Sequence, residues 1–288
     1  MRTAIMTDTN SGISKAEGDA LGIFVIPMPV IIDEQIYFEG INLNQEFFYD
    51  CLTGGRNIST SQPSPGDVMD MWDHILCSGY DQLVYIPMSS GLSNSCQTAI
   101  SLAKNYKGKV EVADNHRISV TMRVSVMEAK DFADKGASAK EIKEKLEANA
   151  YNSGIYIAVD TLEFLKKGGR ITTAGAALGT VLNIKPVLTI QGEKLDAFAK
   201  VRGMKKCRTK MIEALQNDLN TQFHDIPAEY IKLGAAGAGL TREEAESWKN
   251  DLTEAFPGME ICYNHLSLSI GCHTGPGALG TGFSIIAK

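Results

Sequence analysis

The sequence lacks a hydrophobic run long enough to cross a bilayer. Its longest apolar stretch, FVIPMPVII at 24–32, is short and is interrupted by two prolines. The N-terminal segment MRTAIMTDTN has one arginine and no apolar core of signal-peptide length. We therefore expect a soluble protein that is not exported and that works in the cytoplasm.

Positive charge is also scarce. The 288 residues include 28 Lys and Arg against 34 Asp and Glu, so the formal net charge is -6 and the pI is near 5.5. No run of basic residues is longer than two. A nucleic-acid-binding surface needs clustered cations to neutralise phosphates, so this composition argues against nucleic acid as a partner.

Metal-binding cysteine motifs are missing as well. The six cysteines, at 51, 77, 96, 207, 262 and 272, form no C-x-x-C pair, and no histidine lies at zinc-finger spacing from any two of them. We expect no bound metal and no cofactor, and we interpret the cysteines as small buried hydrophobic residues.

What the sequence does contain predicts an α/β fold. A 44% hydrophobic and 22% charged composition is typical of globular proteins, and the length suits one large or two ordinary domains. In the first half, apolar runs alternate with helical periodicity, which indicates parallel βαβ units. The predicted strands are TAIMTDT (3–9), LGIFVIPMPVII (21–32), DQLVYIPMSS (81–90) and GKVEVADN (108–115). The predicted helices are 63–79 and 138–149, the latter with a Ser138/Glu141 capping box.

The second half predicts a separate α/β lobe. It contains a strand at 154–161, a short amphipathic segment at 162–170, a helix at 173–183 and a β-hairpin at 185–203 that turns near Gly192. A helix starting at 204, a strand at 228–237 and a helix at 241–256 with a Thr241/Glu244 capping box follow. We interpret 259–288 as two strands joined by a glycine-rich turn. The predicted domains are 1–155, a three-layer parallel-sheet domain, and 156–288, a smaller α/β domain with a mixed or antiparallel sheet.

Three segments carry hydroxyls where a ligand could bind. In YIPMSSGLSNS (85–95) a strand ends and a helix begins near Ser93 or Asn94, a position where open α/β sheets bind ligands. This loop has no P-loop lysine and is not G-x-G-x-x-G, so a carboxylate fits better than a nucleotide phosphate. NISTSQPSPGDV (57–68) adds hydroxyls without any lysine or arginine. The alternative is that these residues only cap helices.

The glycine-rich segment SIGCHTGPGALG (269–280) places His273 and Thr274 on a predicted loop, where polar residues commonly serve binding. A structural histidine is the alternative. Arg170 and Arg202 stand beside glycines in KKGGR and KVRG. They are interpreted either as solvated surface residues or as docking points for a phosphate or an acidic partner.

SGLSNS is also close to the nucleophile elbow G-x-S-x-G, with Ser93 as nucleophile and His273 as base of a serine hydrolase. The pattern fails at Ser95, where the motif has glycine. No acid for a catalytic triad stands out in the sequence, so the hydrolase is kept as an alternative.

Six blocks in order, TDTNSGIS (7–14), TSQPSPGDV (60–68), YIPMSSGLSNS (85–95), TLEFLKKGGRI (161–171), KPVLTIQGEKL (185–195) and IGCHTGPGALG (270–280), resemble the DegV family. The resemblance implies a two-lobed protein that holds one long-chain fatty acid in a tunnel between its lobes. In bacteria, several such proteins serve as the fatty-acid-binding subunit of fatty acid kinase. That subunit presents the carboxylate to a separate ATP-binding subunit, which forms acyl phosphate for phospholipid metabolism.

The resemblance also implies roles for individual residues. Those expected to bind the carboxylate are Thr60, Ser61, Ser93, the Asn94 backbone amide, His273 and Thr274. Arg170 and Arg202 would lie at the surface where the kinase subunit docks. No independent catalysis is expected, and transient membrane contact is compatible with this function. A lipid sensor or transporter without a kinase partner is a further alternative that shares the same site.

Overall fold

The computed structural model describes residues 1–178 and 184–287. Its strands are β1 (Thr3–Asp8), β2 (Ile23–Ile26), β3 (Pro29–Ile32), β4 (Gln35–Phe38), β5 (Ile58–Thr60), β6 (Gln82–Ile86), β7 (Val110–Val112), β8 (Ser153–Ala158), β9 (Ile184–Ile190), β10 (Asp196–Arg202), β11 (Ile231–Gly237), β12 (Ile261–His265) and β13 (Leu279–Ile285). Its α-helices are α1 (Lys15–Leu21), α2 (Gln45–Thr53), α3 (Pro65–Cys77), α4 (Ser95–Ala103), α5 (Ser119–Asp134), α6 (Ala139–Ala148), α7 (Glu163–Gly168), α8 (Thr173–Ala176), α9 (Met204–Thr221), α10 (Arg242–Ala255) and α11 (Leu268–Thr274).

The first sheet is parallel and is covered by helices on both faces. Its strand order is β2-β1-β6-β7. Helices α3 and α4 pack on one face around the buried Trp72, and α5 and α6 pack on the other around Val126 and Ile142. All residues of β1 and β6 are buried, as expected for strands covered on both sides. The predicted three-layer parallel-sheet architecture is therefore confirmed.

The second sheet is mixed. Its order is β10-β9-β8-β13-β11-β12, in which β11 and β12 are parallel and the other neighbours are antiparallel. Helices α9 and α10 cover one face around Trp248, while the other face packs against the start of α5. The predicted mixed sheet is confirmed. The boundary between 155 and 156 stays a prediction, and β8, from Ser153, already belongs to this sheet.

The prediction of one strand over 21–32 is wrong. The chain leaves the parallel sheet at Pro27 and Met28, and β3 then pairs with β4 and β5 in a separate three-stranded antiparallel sheet. Proline has no backbone N–H to continue a central strand, which explains the break. Because β5 ends at Thr60, this small sheet positions the hydroxyl-rich segment that follows.

The prediction of two strands and a turn over 259–288 is also wrong. Helix α11 lies between β12 and β13. Ser267 caps it by accepting a hydrogen bond from the Ile270 N–H, and Gly275, with φ +75°, ends it. His273 therefore lies in the last turn of a helix rather than on a loop.

The predicted hairpin of β9 and β10 is confirmed, and its tip contacts the SSGLS loop. Gly192 in the turn has φ +88°, and its carbonyl accepts a hydrogen bond from the Ser89 hydroxyl. A Cβ at Gly91 would lie 2.7 Å from the Gly192 oxygen and 2.8 Å from the Glu193 Cα. Glycine at 91 is thus required for this close approach of two backbones.

Both predicted capping boxes are present, Ser138/Glu141 on α6 and Thr241/Glu244 on α10. The helix predicted over 173–183 is described only in part, because α8 covers Thr173–Ala176 and residues 179–183 lie outside the described residues.

Two of the six cysteines, Cys77 and Cys262, are exposed, which corrects the interpretation that all are buried. No helix in the described part of the chain is long and apolar enough to cross a membrane.

Candidate binding site at the central cavity

A central cavity lies where the loops after the parallel strands meet the second sheet. It contains about 850 Å³ of space not filled by protein atoms, including the part open to solvent at its mouth. The polar side chains that line it are Asn10, Thr60, Ser61, Gln62, Ser93, Ser119, Arg170, Ser269, His273, Thr274 and Thr281. The other lining residues are Met28, Met88, Leu92, Ile118, Val120, Ile155, Ile157, Leu165, Ile190, Leu195, Ala236, Leu266, Ile270 and Gly280.

The position of the cavity follows from the topology of the parallel sheet. The strand order reverses between β1 and β6, since β2 lies outside β1 and β7 lies outside β6. The loops after these two strands therefore diverge and leave a crevice at the carboxyl ends, the usual ligand position in open α/β sheets. Asn10 follows β1, and Met88, Leu92 and Ser93 follow β6, and all four line the cavity.

One part of the cavity wall is almost entirely hydrocarbon. Ile155 and Ile157 lie on the same face of β8, and Ile190 is paired with Ile155 on the neighbouring strand. Ile118 and Val120, at the start of α5, belong to the same hydrophobic cluster. This wall can stabilise an extended apolar chain, whose transfer from water contributes about 0.8 kcal/mol per methylene.

Five of the polar lining residues lie on segments that contact one another, and they form the polar end of the cavity. Thr60 and Ser61 lie at the end of β5, Ser93 precedes α4, and His273 and Thr274 lie in the last turn of α11. All five were predicted from the sequence, and the fold brings them to the same cavity. Ser61 is exposed, so this end reaches the protein surface.

Two other site residues were predicted: Asn94, whose backbone amide was expected to bind the carboxylate, and Arg202, which was expected at the surface. Neither is among the lining residues of the cavity. Asn94 is exposed at the start of α4 and its side chain makes no capping hydrogen bond there. Arg202 is exposed at the end of β10. Arg170, which was expected at the surface, is half-buried and does line the cavity.

His273 and Thr60 form the central contact of the polar end, with 2.9 Å between the His273 Nε2 and the Thr60 Oγ1. Burial, reinforced by the positive charge of Arg170, lowers the pKa of His273 to about 4, so the ring is neutral at physiological pH. Its Nδ1 is buried without a hydrogen-bond partner and lies against the backbone of Gly168, where a Cβ would come within 2.1 Å.

These contacts determine which neutral tautomer fits. A proton on Nδ1 would be a buried donor without an acceptor, and buried donors without a partner are rarer in proteins than buried acceptors without one. We therefore assign the proton to Nε2, which donates to Thr60 Oγ1. The Thr60 hydroxyl proton is then free to be donated to a ligand in the cavity.

Arg170 is held beside these groups by two backbone carbonyls. Its Nη1 donates to the Gly168 oxygen over 2.5 Å, and its Nε donates to the Leu92 oxygen over 3.3 Å. It therefore connects the end of α7 with the loop that carries Ser93. This contact fixes a cation at the polar end of the cavity without an ion pair to a carboxylate in the described residues.

The loop that carries Ser93 is held in place by hydrogen bonds to a buried carboxyl group. Asp8, at the end of β1, accepts hydrogen bonds from the Met88 N–H (2.9 Å) and the Asn10 N–H (2.8 Å). Complete burial raises the pKa of Asp8 to about 6. Ser93 Oγ itself accepts a hydrogen bond from the Ser95 N–H at 3.2 Å, so its own proton is available to a ligand.

Sequence reasoning missed the part of the site built on Asn10. Its side-chain oxygen accepts hydrogen bonds from Ser267 (2.8 Å) and Ser269 (2.5 Å), and Asn10 and Ser269 both line the cavity. The block TDTNSGIS pointed to this position, but nothing in the sequence linked it to residues more than 250 positions away.

The geometry of a serine hydrolase is not present in the described residues. His273 Nε2 bonds to Thr60 rather than to Ser93, and no carboxylate bonds to its Nδ1. Both contacts would be needed to activate a serine nucleophile. No group of three or more His, Cys, Asp or Glu residues within residues 1–178 and 184–287 could hold a metal ion.

The neutral state of His273 predicts a specific pH dependence. Its pKa is about 4 in the folded protein and near the ordinary 6.5 in the unfolded chain, so between these values only the unfolded chain takes up the proton. As pH falls from about 6.5 towards 4, wild type should lose stability relative to His273→Gln, by up to about 1.4 kcal/mol per pH unit. Denaturant unfolding of both proteins at several pH values measures this difference. Parallel stability profiles would show that His273 is not held neutral.

The fold and the cavity define a class of protein: a three-sheet α/β protein with a largely apolar ligand cavity that ends in hydroxyl groups, a neutral histidine and one arginine. Comparison with known proteins gives the family. A family model described as "Uncharacterised protein, DegV family" matches residues 2–285, so the chain belongs to the DegV family.

Individual relatives agree over nearly the whole chain. A DegV domain-containing protein of Deinococcus radiodurans is 30% identical over 281 residues, covering 97% of each chain. A solved structure described as fatty acid binding of a DegV family protein from Thermus thermophilus is 30% identical with a TM-score of 0.87, covering 99% of this chain and 100% of that one. DegV of Bacillus subtilis, described as a fatty acid binding protein, is 27% identical with a TM-score of 0.84, and the same shares of the two chains are covered.

Proposed function

We propose that this protein binds one long-chain fatty acid in the central cavity and presents its carboxylate to a separate ATP-dependent fatty acid kinase subunit. The observation that carries the proposal is a largely apolar cavity with hydroxyl groups gathered at one end, next to a single arginine, Arg170. The fatty acid binding of the Thermus thermophilus and Bacillus subtilis relatives supports the same ligand class.

The donors suit an ionised carboxylate. Thr60, oriented by His273, and Ser93 each offer a hydroxyl proton. The Ser61 hydroxyl, which donates to the Gln62 oxygen over 3.2 Å, would rotate to donate to the ligand. Hydrogen bonds to a charged acceptor offset the loss of its hydration when it enters the cavity. The carboxylate remains a competent nucleophile, because in this proposal no lysine or arginine forms a bidentate salt bridge with it.

The position of the carboxylate suits phosphoryl transfer by a partner. The polar end reaches the surface at Ser61, so a kinase subunit could bring ATP to it. A carboxylate oxygen would attack the γ-phosphorus, the bond to the ADP oxygen would break, and acyl phosphate and ADP would result. This chain would supply substrate binding and orientation, with no cofactor of its own and no independent catalysis.

Arg170 and the more distant Arg202 are the proposed contacts with the kinase subunit. Arg170 lies beside the polar end, where a cation would stabilise charge on the transferring phosphoryl group or on an acidic partner surface. Arg202 is exposed at the end of β10 and would extend the docking surface.

We expect Arg170→Ala to keep fatty acid binding within about tenfold of wild type and to lower acyl phosphate formation with the kinase subunit by about a hundredfold or more. Fatty acid affinity by calorimetry and acyl phosphate by hydroxamate trapping measure the two steps separately. Arg242→Ala, on the exposed start of α10, is the matched control and should change neither. Equal loss of both steps would place Arg170 in the binding site instead.

A lipid sensor or transporter without a kinase would use the same cavity. The two hypotheses differ in the partner: only the kinase function requires acyl phosphate to form when the cognate kinase subunit and ATP are added. A cytoplasmic location and transient contact with a membrane, from which the acid would be taken up, are part of the proposal.

A further inference from the structure

Three glycines lie on the face of the second sheet that borders the cavity. Gly234 lies on β11, and Gly280 and Gly282 lie on β13. In the antiparallel register Gly234 is paired with Gly282, while Gly280 is paired with Ala236 on one side and Ile157 on the other. Glycine in the middle of a strand is unfavourable, so each of the three requires a reason.

Packing explains two of them. A Cβ at Gly234 would lie 2.6 Å from the Val120 Cβ, and a Cβ at Gly282 would lie 2.9 Å from the Gly154 oxygen. Gly234 therefore allows the start of α5 to approach the sheet closely, and Gly282 allows the backbone of β8 to do so.

Packing does not explain Gly280. The nearest atoms to a Cβ there are the Ala236 Cβ at 3.8 Å, the Tyr156 oxygen at 3.9 Å and the Ile157 Cγ1 at 4.0 Å, all ordinary van der Waals distances. Its φ lies outside the left-handed region, so the backbone does not require glycine either. Gly280 lines the cavity, and the space that a side chain would fill is part of it.

Gly280 also lies part of the way along the cavity. β8 ends and β13 begins at the same edge of the sheet. From the end of β8 the chain continues to Arg170, and Thr274 comes shortly before the start of β13. Ile155 and Ile190, which also line the cavity, lie one row further from that edge. A chain that enters from the polar end passes Gly280 before it reaches this pair.

We infer that Gly280 is a specificity residue that keeps the cavity wide enough for the distal part of a long acyl chain. The inference rests on the proposed fatty acid binding. A larger side chain at 280 blocks passage towards Ile155 and Ile190 and leaves room only for acids that end before it.

The test measures the affinity of wild type and Gly280→Val for straight-chain acids of about eight to about eighteen carbons. Wild-type affinity should rise with length, by up to about fourfold per methylene. In Gly280→Val the shortest acids should bind as in wild type, and the longest should bind at least about tenfold more weakly. Valine suits a strand, so the unfolding temperature of the ligand-free variant should not fall.

Gly282→Ala is the matched control, because its Cβ would meet backbone rather than open space. It should lower the unfolding temperature without changing the relative preference among chain lengths. If the affinity of Gly280→Val rose with chain length in parallel with wild type, or if the variant had a lower unfolding temperature, the proposed role of Gly280 would be wrong. The proposed fatty acid binding would still stand. If wild type bound no acid of any length, the proposed function and the inference would both fail.

Discussion

Replacing Ser61 and Ser93 together by alanine lowers the affinity for a long-chain fatty acid by about a hundredfold, if these hydroxyls bind the carboxylate. A hydrogen bond to a charged group contributes about 1.5–3 kcal/mol, and Ser61 is exposed, so about 3 kcal/mol for the pair is expected. The hydrocarbon contacts are unchanged. Calorimetric titration of wild type and the double variant with the same acid measures the loss.

Two comparisons make this experiment specific. A fatty alcohol of the same chain length has no carboxylate, so its affinity should change by less than about fivefold in the double variant. Ser101→Ala, on the exposed side of α4, removes a hydroxyl away from the cavity and should leave both ligands unaffected. Unchanged acid affinity in the double variant would show that the head group binds elsewhere.

The largest effect on stability is expected at Arg117, a cation only 2% exposed. Its guanidinium donates to the Asn149 oxygen (2.6 Å), the Ser125 hydroxyl (3.0 Å) and the Ala150 oxygen (3.3 Å). The Glu128 Oε2 lies 3.9 Å from the Arg117 Nη1 and supplies a largely buried counter-charge. Arg117→Met should lower the free energy of unfolding by about 3–5 kcal/mol, because it leaves buried acceptors without a donor. Urea denaturation measures this change.

A second variant identifies the cause. Adding Glu128→Gln to Arg117→Met removes the orphaned charge and should recover part of the lost stability. Arg208→Ala, which breaks a partly exposed pair with Asp251, should cost less than about 1 kcal/mol. If Arg117→Met were no more destabilising than Arg208→Ala, the buried network would not contribute to stability as described.

Local signals were sufficient for much of the fold. The capping boxes at Ser138 and Thr241 marked two helix starts correctly, because the groups involved lie within one turn of each other. The turn at Gly192 was also correct, since a hairpin tip has its own residue requirements. The parallel strands were visible as continuous apolar runs.

The errors arose where distant parts of the chain decide local structure. The apolar run at 21–32 contains no signal that its second half pairs with Ile58–Thr60 in another sheet. The segment around His273 is rich in glycine, which suggested a loop, but its helix is stabilised by contacts with β3 and α2. Propensity is a weak guide when tertiary packing opposes it.

The candidate site was predictable in its residue types and only partly in its geometry. The hydroxyls and His273 were identified from motifs, yet the contact between Thr60 and His273 joins residues 213 positions apart. Asn10 was missed for the same reason, and Arg170 could not be distinguished from Arg202 by their shared glycine neighbours. Only the fold separates the residue at the cavity from the one at the surface.

The most direct test of the central claim is the identity of the molecule that the cavity holds. The protein is purified without added lipid and denatured, and its organic extract is analysed by mass spectrometry against a protein standard of known amount. We predict one long-chain fatty acid in a roughly equimolar amount with the protein. An extract without fatty acid, from a protein whose melting temperature does not rise when long-chain acids are added, would contradict the proposed function.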